Sequence, residues 1–127
     1  MSRQRKRLAR LLLTQRAISD LLEIETYTVE TWGAKQAAKY LSDIESGMRL
    51  IRENPGVLQS GAGLPDELRY HHVNKHLLIC DVQSSSIVVL TVIHASMDVP
   101  ARLAELVPQL ADEVAALHQR LTSRDRK

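Results

Sequence analysis

Five histidines, at positions 71, 72, 76, 94 and 118, and a single cysteine, Cys80, are the side chains best suited to binding a metal or moving a proton. Their spacing argues against zinc, because structural sites draw on short Cys/His pairs and no such pair occurs here. Adjacent His71 and His72, if in a strand, point to opposite faces. Nucleophilic catalysis would need Cys80 or a serine beside a base. Cys80 sits in an apolar run at 76–82, where a small buried thiol is the ordinary occupant. The "SGAG" stretch at 60–63 leads into Leu64-Pro65 rather than a helix, so it is no phosphate loop. Asp20, Glu23, Glu30, Asp43 and Glu45 fall on helical segments and are expected on solvated faces. Neither a metal nor a cofactor is expected.

His94 interrupts "TVIHASMDVPARL" (91–103), after a β-branched run and before a turn through Met97-Asp98. It ends a strand, and its imidazole is expected to hydrogen-bond into the turn around Ser96 and Asp98; direct contact with a target is the alternative.

These groups must be positioned by elements that the apolar periodicity outlines. Residues 8–13 can form a short first strand. Ile18, Leu21, Leu22, Glu25 and Thr28 then follow helical spacing up to Gly33. Ala37, Tyr40, Leu41, Ile44, Met48 and Ile51 form one face of a second helix, ended by Asn54-Pro55-Gly56. The two helices should form an antiparallel hairpin. Beyond the Gly/Pro-rich connection, "LRYHHV" (68–73), "HLLICDV" (76–82) and "IVVLTVIH" (87–94) read as strands separated by short turns, hence an antiparallel meander. Last, Leu103, Val107, Leu110, Val114, Leu117 and Leu121 step by four and three as a heptad seam, with a break or kink expected at Pro108. The fold class is therefore α+β: an N-terminal strand, a helical hairpin, a three-stranded meander and an added C-terminal helix. We divide the chain into a domain at 1–106 and a helical extension with a basic tail at 107–127. That seam must pack on its own sheet or on a second copy, which makes a homo-oligomer possible.

With 127 residues, 44% hydrophobic and 25% charged, the composition is that of one globular domain. One cysteine allows no internal disulfide, and the apolar runs are too short to span a membrane. A cytoplasmic protein is expected. The net charge of +2 hides an asymmetry: residues 1–16 hold six Lys/Arg and no acid, and 120–127 hold four against Asp125. The remainder has seven basic and fourteen acidic residues. Basic ends on an acidic body could reach phosphate as arms, or simply keep the chain soluble.

Several stretches together resemble the ParE branch of the RelE/ParE toxin superfamily. They are Ala17, Asp20, Leu21 and Ile24; Trp32-Gly33 with Gln36-Ala37 and Tyr40-Leu41; Asn54-Pro55; Leu68-Arg69; and His94 with Met97-Asp98. The resemblance covers roughly 12–103 and implies a small antiparallel sheet flanked by a helical hairpin. It also implies a cognate antitoxin that neutralises the toxin, with operator DNA met only through the antitoxin complex. ParE relatives poison DNA gyrase, whereas RelE-type relatives cut mRNA on the ribosome.

RNA cleavage needs a base, an acid and cations that stabilise a phosphorane-like transition state. Arg69, His71, His72 and His94 are the candidates. Where the family often has Tyr-Arg after the third strand's apolar run, this chain has Cys80-Asp81; a common arginine before Val-x-His is Thr91, and a basic residue before Met-Asp is Ser96. These departures remove nuclease groups and favour action by protein binding. Arg69, Tyr70, His72, Lys75, His94, Met97 and Asp98 are the expected target or partner surface. Ribosomal RNA cleavage, and a non-toxic interaction module or co-repressor, remain the alternatives.

Overall fold

The structure, a computed structural model, describes residues 9–84 and 86–125, with 123–125 described as backbone. The elements are β1 (Arg10–Leu13), α1 (Gln15–Trp32), α2 (Ala34–Glu53), a single 3-10 turn at Pro55–Val57, β2 (Leu68–Val73), β3 (His76–Gln83), β4 (Ser86–His94) and α3 (Val99–Asp125). The strands form one sheet in the order β1-β4-β3-β2. β2, β3 and β4 make the antiparallel meander, and β1 lies parallel to β4 with Arg10 opposite Ser86 and Leu13 opposite Val89.

Thr14 joins β1 to α1 without a loop. Its hydroxyl accepts the Ala17 N–H (3.0 Å) as helix cap and donates to the Leu90 carbonyl (2.7 Å), so it starts the helix and fastens it to the sheet. Between α1 and α2 the chain reverses at Gly33, whose φ of 97° only glycine adopts without strain. The hairpin then covers one sheet face through Ala17, Ile44 and Ile51 against Val73, Leu78, Cys80, Ile87, Val89 and Val92. α2 approaches β2 closely at Gly47, where a Cβ would lie 2.7 Å from Val73 Cγ2. On α1 the buried face runs through Ala17, Asp20 and Thr28, while Ile18 and Leu22, read from periodicity as part of the apolar face, are exposed.

α3 covers the opposite face. Leu103, Leu106, Leu110 and Val114 pack with Leu68, Leu77, Ile79, Val88, Leu90 and Ile93. The helix begins at Asp98, whose carboxylate accepts the Ala101 N–H (3.1 Å), and continues through Pro108 as one element. The break expected there does not occur. A proline inside a helix costs about 3 kcal/mol, whereas each buried Leu or Val contributes about 1.5–3 kcal/mol, so four of them outweigh it. Pro108 and Ala104, whose carbonyl loses its partner, are both exposed, and water can serve that carbonyl. The seam also shifts: Val107 is exposed, and Leu106 and His118 take the buried positions. The 106/107 division thus falls within a continuous helix.

Two ties hold α3 down. Glu113 accepts the Gln15 N–H at the start of α1 (2.9 Å). His118, 4% exposed, bridges Ser86 Oγ (2.6 Å, at Nδ1) and Asp81 Oδ1 (3.1 Å, at Nε2).

Candidate functional site

A cavity of about 570 Å³ opens where the sheet's His76/His94 end meets the far end of the helical hairpin. Three features of the chain create it. β1 is only four residues long and its register stops at Val89, so β4 runs on past it without a strand neighbour on that side. α1 is long enough to overhang this free edge. The β4 ladder also contains a bulge: Ile79 pairs with Thr91 but Cys80 pairs with Val89, leaving Leu90 as the extra residue.

The bulge lets the neighbouring Thr91 reach α1, where Asp20 completes the free edge. One Asp20 oxygen accepts from the Thr91 hydroxyl and from the Val92 N–H (2.9 Å), and the other binds Arg16 Nη2 at 2.8 Å. Its hydrogen bond to Asp20 raises the Arg16 guanidinium pKa above its ordinary value, against the opposing effect of desolvation. Asp20 is buried, contrary to the solvated face expected from its helical spacing, because the sheet edge supplies the donors a buried carboxylate requires.

At the cavity's other wall, the Tyr40 hydroxyl accepts the Lys75 N–H (3.1 Å) and donates to His76 Nδ1 (2.5 Å). This places the proton of the neutral imidazole on Nε2. Burial, reinforced by nearby His94, lowers the His76 pKa to about 4, so the ring is uncharged at neutral pH. Burial likewise raises the Tyr40 pKa. His94 meets His76 edge to face with centroids 5.2 Å apart. Its Nδ1 accepts the Ser96 N–H (3.1 Å) and contacts Ser96 Oγ (2.8 Å), the bond into the turn that the sequence suggested. The His94 side chain is nevertheless exposed.

The expected surface residues divide. Lys75, His94 and Met97 line this cavity together with Tyr27, Trp32 and Tyr40. Asp98 caps α3. Arg69 lies at the other end of β2, opposite Cys80, and its guanidinium binds the carbonyls of Asp66 (2.5 Å) and Leu68 (2.8 Å). His76 pairs with His94 four positions further along β3, so roughly 13 Å of strand separates Arg69 from the His94 end. Tyr70 packs on the α3 side of the sheet. His72 is exposed on β2, whereas His71 lies beside Gly47 of α2, and burial lowers its pKa.

Sequence reasoning did not single out Tyr27 and Trp32, which are 64% and 68% exposed. The available signal was Trp32 immediately before the helix-ending Gly33, a large apolar residue with no core to enter. Chemically the site offers aromatic and apolar contact, with a few polar groups at its rim. Among the described residues no three His, Cys, Asp or Glu are grouped to hold a metal. Cys80 is fully buried, and burial raises its pKa to about 12, which leaves it an unreactive thiol.

Comparison with known proteins agrees with this architecture. A family model described as "ParE toxin of type II toxin-antitoxin system, parDE" matches residues 11–99. Toxin ParE1 of Caulobacter vibrioides is 32% identical over 91 residues, covering 72% of this chain and 94% of the relative. Toxin ParE of Escherichia coli is 30% identical over 95 residues, covering 74% and 92%. A solved structure described as the chromosomal ParDE TA system from P. aeruginosa superposes with a TM-score of 0.61 at 18% identity, over 69% of this chain and 97% of the other. α3 lies almost wholly beyond the family match.

Proposed function

The chain belongs to the ParE toxin family of type II toxin–antitoxin systems, and from that premise we propose that it inhibits DNA gyrase by protein binding, in the cytoplasm, until a cognate antitoxin neutralises it. Separation of the cationic and imidazole groups carries this reading. A ribonuclease must bring acid, base and phosphate-binding cation to within a few ångströms of one another. Here Arg69 is bound to backbone carbonyls at one end of the sheet and His94 stands at the other. Asp81, at a position where the family often places a basic residue, is occupied by His118 of α3. What the His94 end offers instead is Tyr27, Trp32 and Met97, all exposed, around an apolar hollow, the composition typical of a protein-binding hot spot.

Purified protein added to a gyrase supercoiling reaction should block supercoiling, and Trp32→Ala with Met97→Ala should relieve the block by at least tenfold in the concentration required. Primer extension on ribosome-bound mRNA should show no new ends. Ribosome-dependent cuts together with undiminished supercoiling would replace this reading with the endonuclease one.

A further inference from the structure

The end of the sheet opposite the cavity gathers the chain's positive charge. β1 begins there, with Arg10 opposite Ser86. The Ala9 N–H donates to the Arg52 carbonyl (2.9 Å), which puts the last turn of α2, with exposed Arg49 and Arg52, beside the start of β1. The His118–Ser86 contact brings the C-terminal part of α3 to the same place, with exposed Arg120 two residues on. The sequence leading into Ala9 carries Arg3, Arg5, Lys6 and Arg7, and that following Arg120 carries Arg124, Arg126 and Lys127. Against these stand Glu53, Asp125 and Asp81, the last already held by His118. Two basic runs that are separated by a hundred residues in sequence therefore meet at one pole of an otherwise acidic body.

We propose that this pole binds the phosphate backbone of duplex nucleic acid directly, without an antitoxin. The partner follows from what the pole contains and lacks. Clustered cations that release counterions are suited to closely spaced phosphates, about one per 1.7 Å of a duplex axis. Single strands are held largely by aromatic stacking, but Trp32, Tyr27, Tyr40 and Tyr70 all lie elsewhere in the fold. Stable membrane attachment draws on apolar side chains that enter the bilayer, and apart from Met1 the segments 1–7 and 122–127 have none. The binding is independent of which target the toxin poisons.

Fluorescence anisotropy with a labelled 20-base-pair DNA, using the full chain, tests this. About six phosphate contacts would weaken binding roughly 10³-fold between 50 and 200 mM salt. Replacing Arg3, Arg5, Lys6 and Arg7 with Gln should flatten the log–log salt dependence by about 2–4, as should Arg120, Arg124, Arg126 and Lys127→Gln. The combined variant should lose binding at 50 mM salt while keeping its melting temperature. The proposal is overturned if only one set of substitutions matters, if neither does, or if phosphatidylserine vesicles bind more tightly than the duplex at equal phosphate concentration. Supercoiling inhibition, measured separately, reports on the gyrase reading alone.

Discussion

Asp20 and Thr91, 71 residues apart, are joined by a buried side-chain hydrogen bond that fixes α1 to the free edge of β4. The same carboxylate oxygen accepts the Val92 N–H. Asp20→Ala would leave that buried amide unpaired, with an expected loss of about 2–4 kcal/mol in urea denaturation. Thr91→Val should cost less, and the pair should be non-additive by about 1 kcal/mol or more. Strict additivity would mean that the two side chains are not coupled.

His76 makes stability depend on acid. Its folded pKa of about 4 lies below the ordinary 6.5, so the unfolded chain binds the proton more readily. The contribution of the neutral ring is complete above pH 6.5 and is lost progressively as pH falls toward 4. Melting temperatures across that window should decline less in His76→Gln than in the parent chain; parallel curves would exclude His76 as the cause.

Gly47 is where α2 approaches β2. A methyl group there meets Val73 Cγ2 at 2.7 Å, so Gly47→Ala should destabilise by about 1–3 kcal/mol despite alanine's better helix propensity. Shortening the opposing side chain tests the cause: Gly47→Ala should be less damaging in a Val73→Ala background than in the parent.

Pro108→Ala restores an amide donor to the middle of α3. Exposure of Pro108 means that no packing is lost, so stability should rise by about 1–3 kcal/mol. A fall in the denaturation midpoint would indicate that the ring makes a contact the helix needs. Truncation after Leu106 should act in the opposite sense, because it strips Leu110 and Val114 from the core against Leu68 and Ile79.

Much of this architecture was legible because the apolar period changes sharply. Ala37, Ile44 and Ile51 mark a helix face, and the unbroken run 87–93 marks a strand buried on both sides. Less legible were features set by partners distant in sequence. Asp20 looks like any helix-surface acid until the bulge at Leu90 presents Thr91 and Val92 to it. Local propensity gave Pro108 a helix break that tertiary burial on both sides overrides. Register decided the candidate site: Arg69 and His94 sit on strands of the same sheet, and only pairing shows that they occupy opposite ends.

The pairing of β1 with β4 also sets a clock. The sheet's first strand finds its neighbour only after the ribosome has added 76 further residues, Arg10 waiting for Ser86, an interval of roughly 4–15 s at 5–20 residues per second. Throughout that interval the wall of the cavity formed by β4 does not exist, and α1 has no edge to dock on. A prematurely terminated chain is thus a harmless one, and toxicity arises only when synthesis is nearly finished. Chains arrested before Ser86 should resist neither protease nor denaturant, while release of the full chain should bring both forms of resistance together.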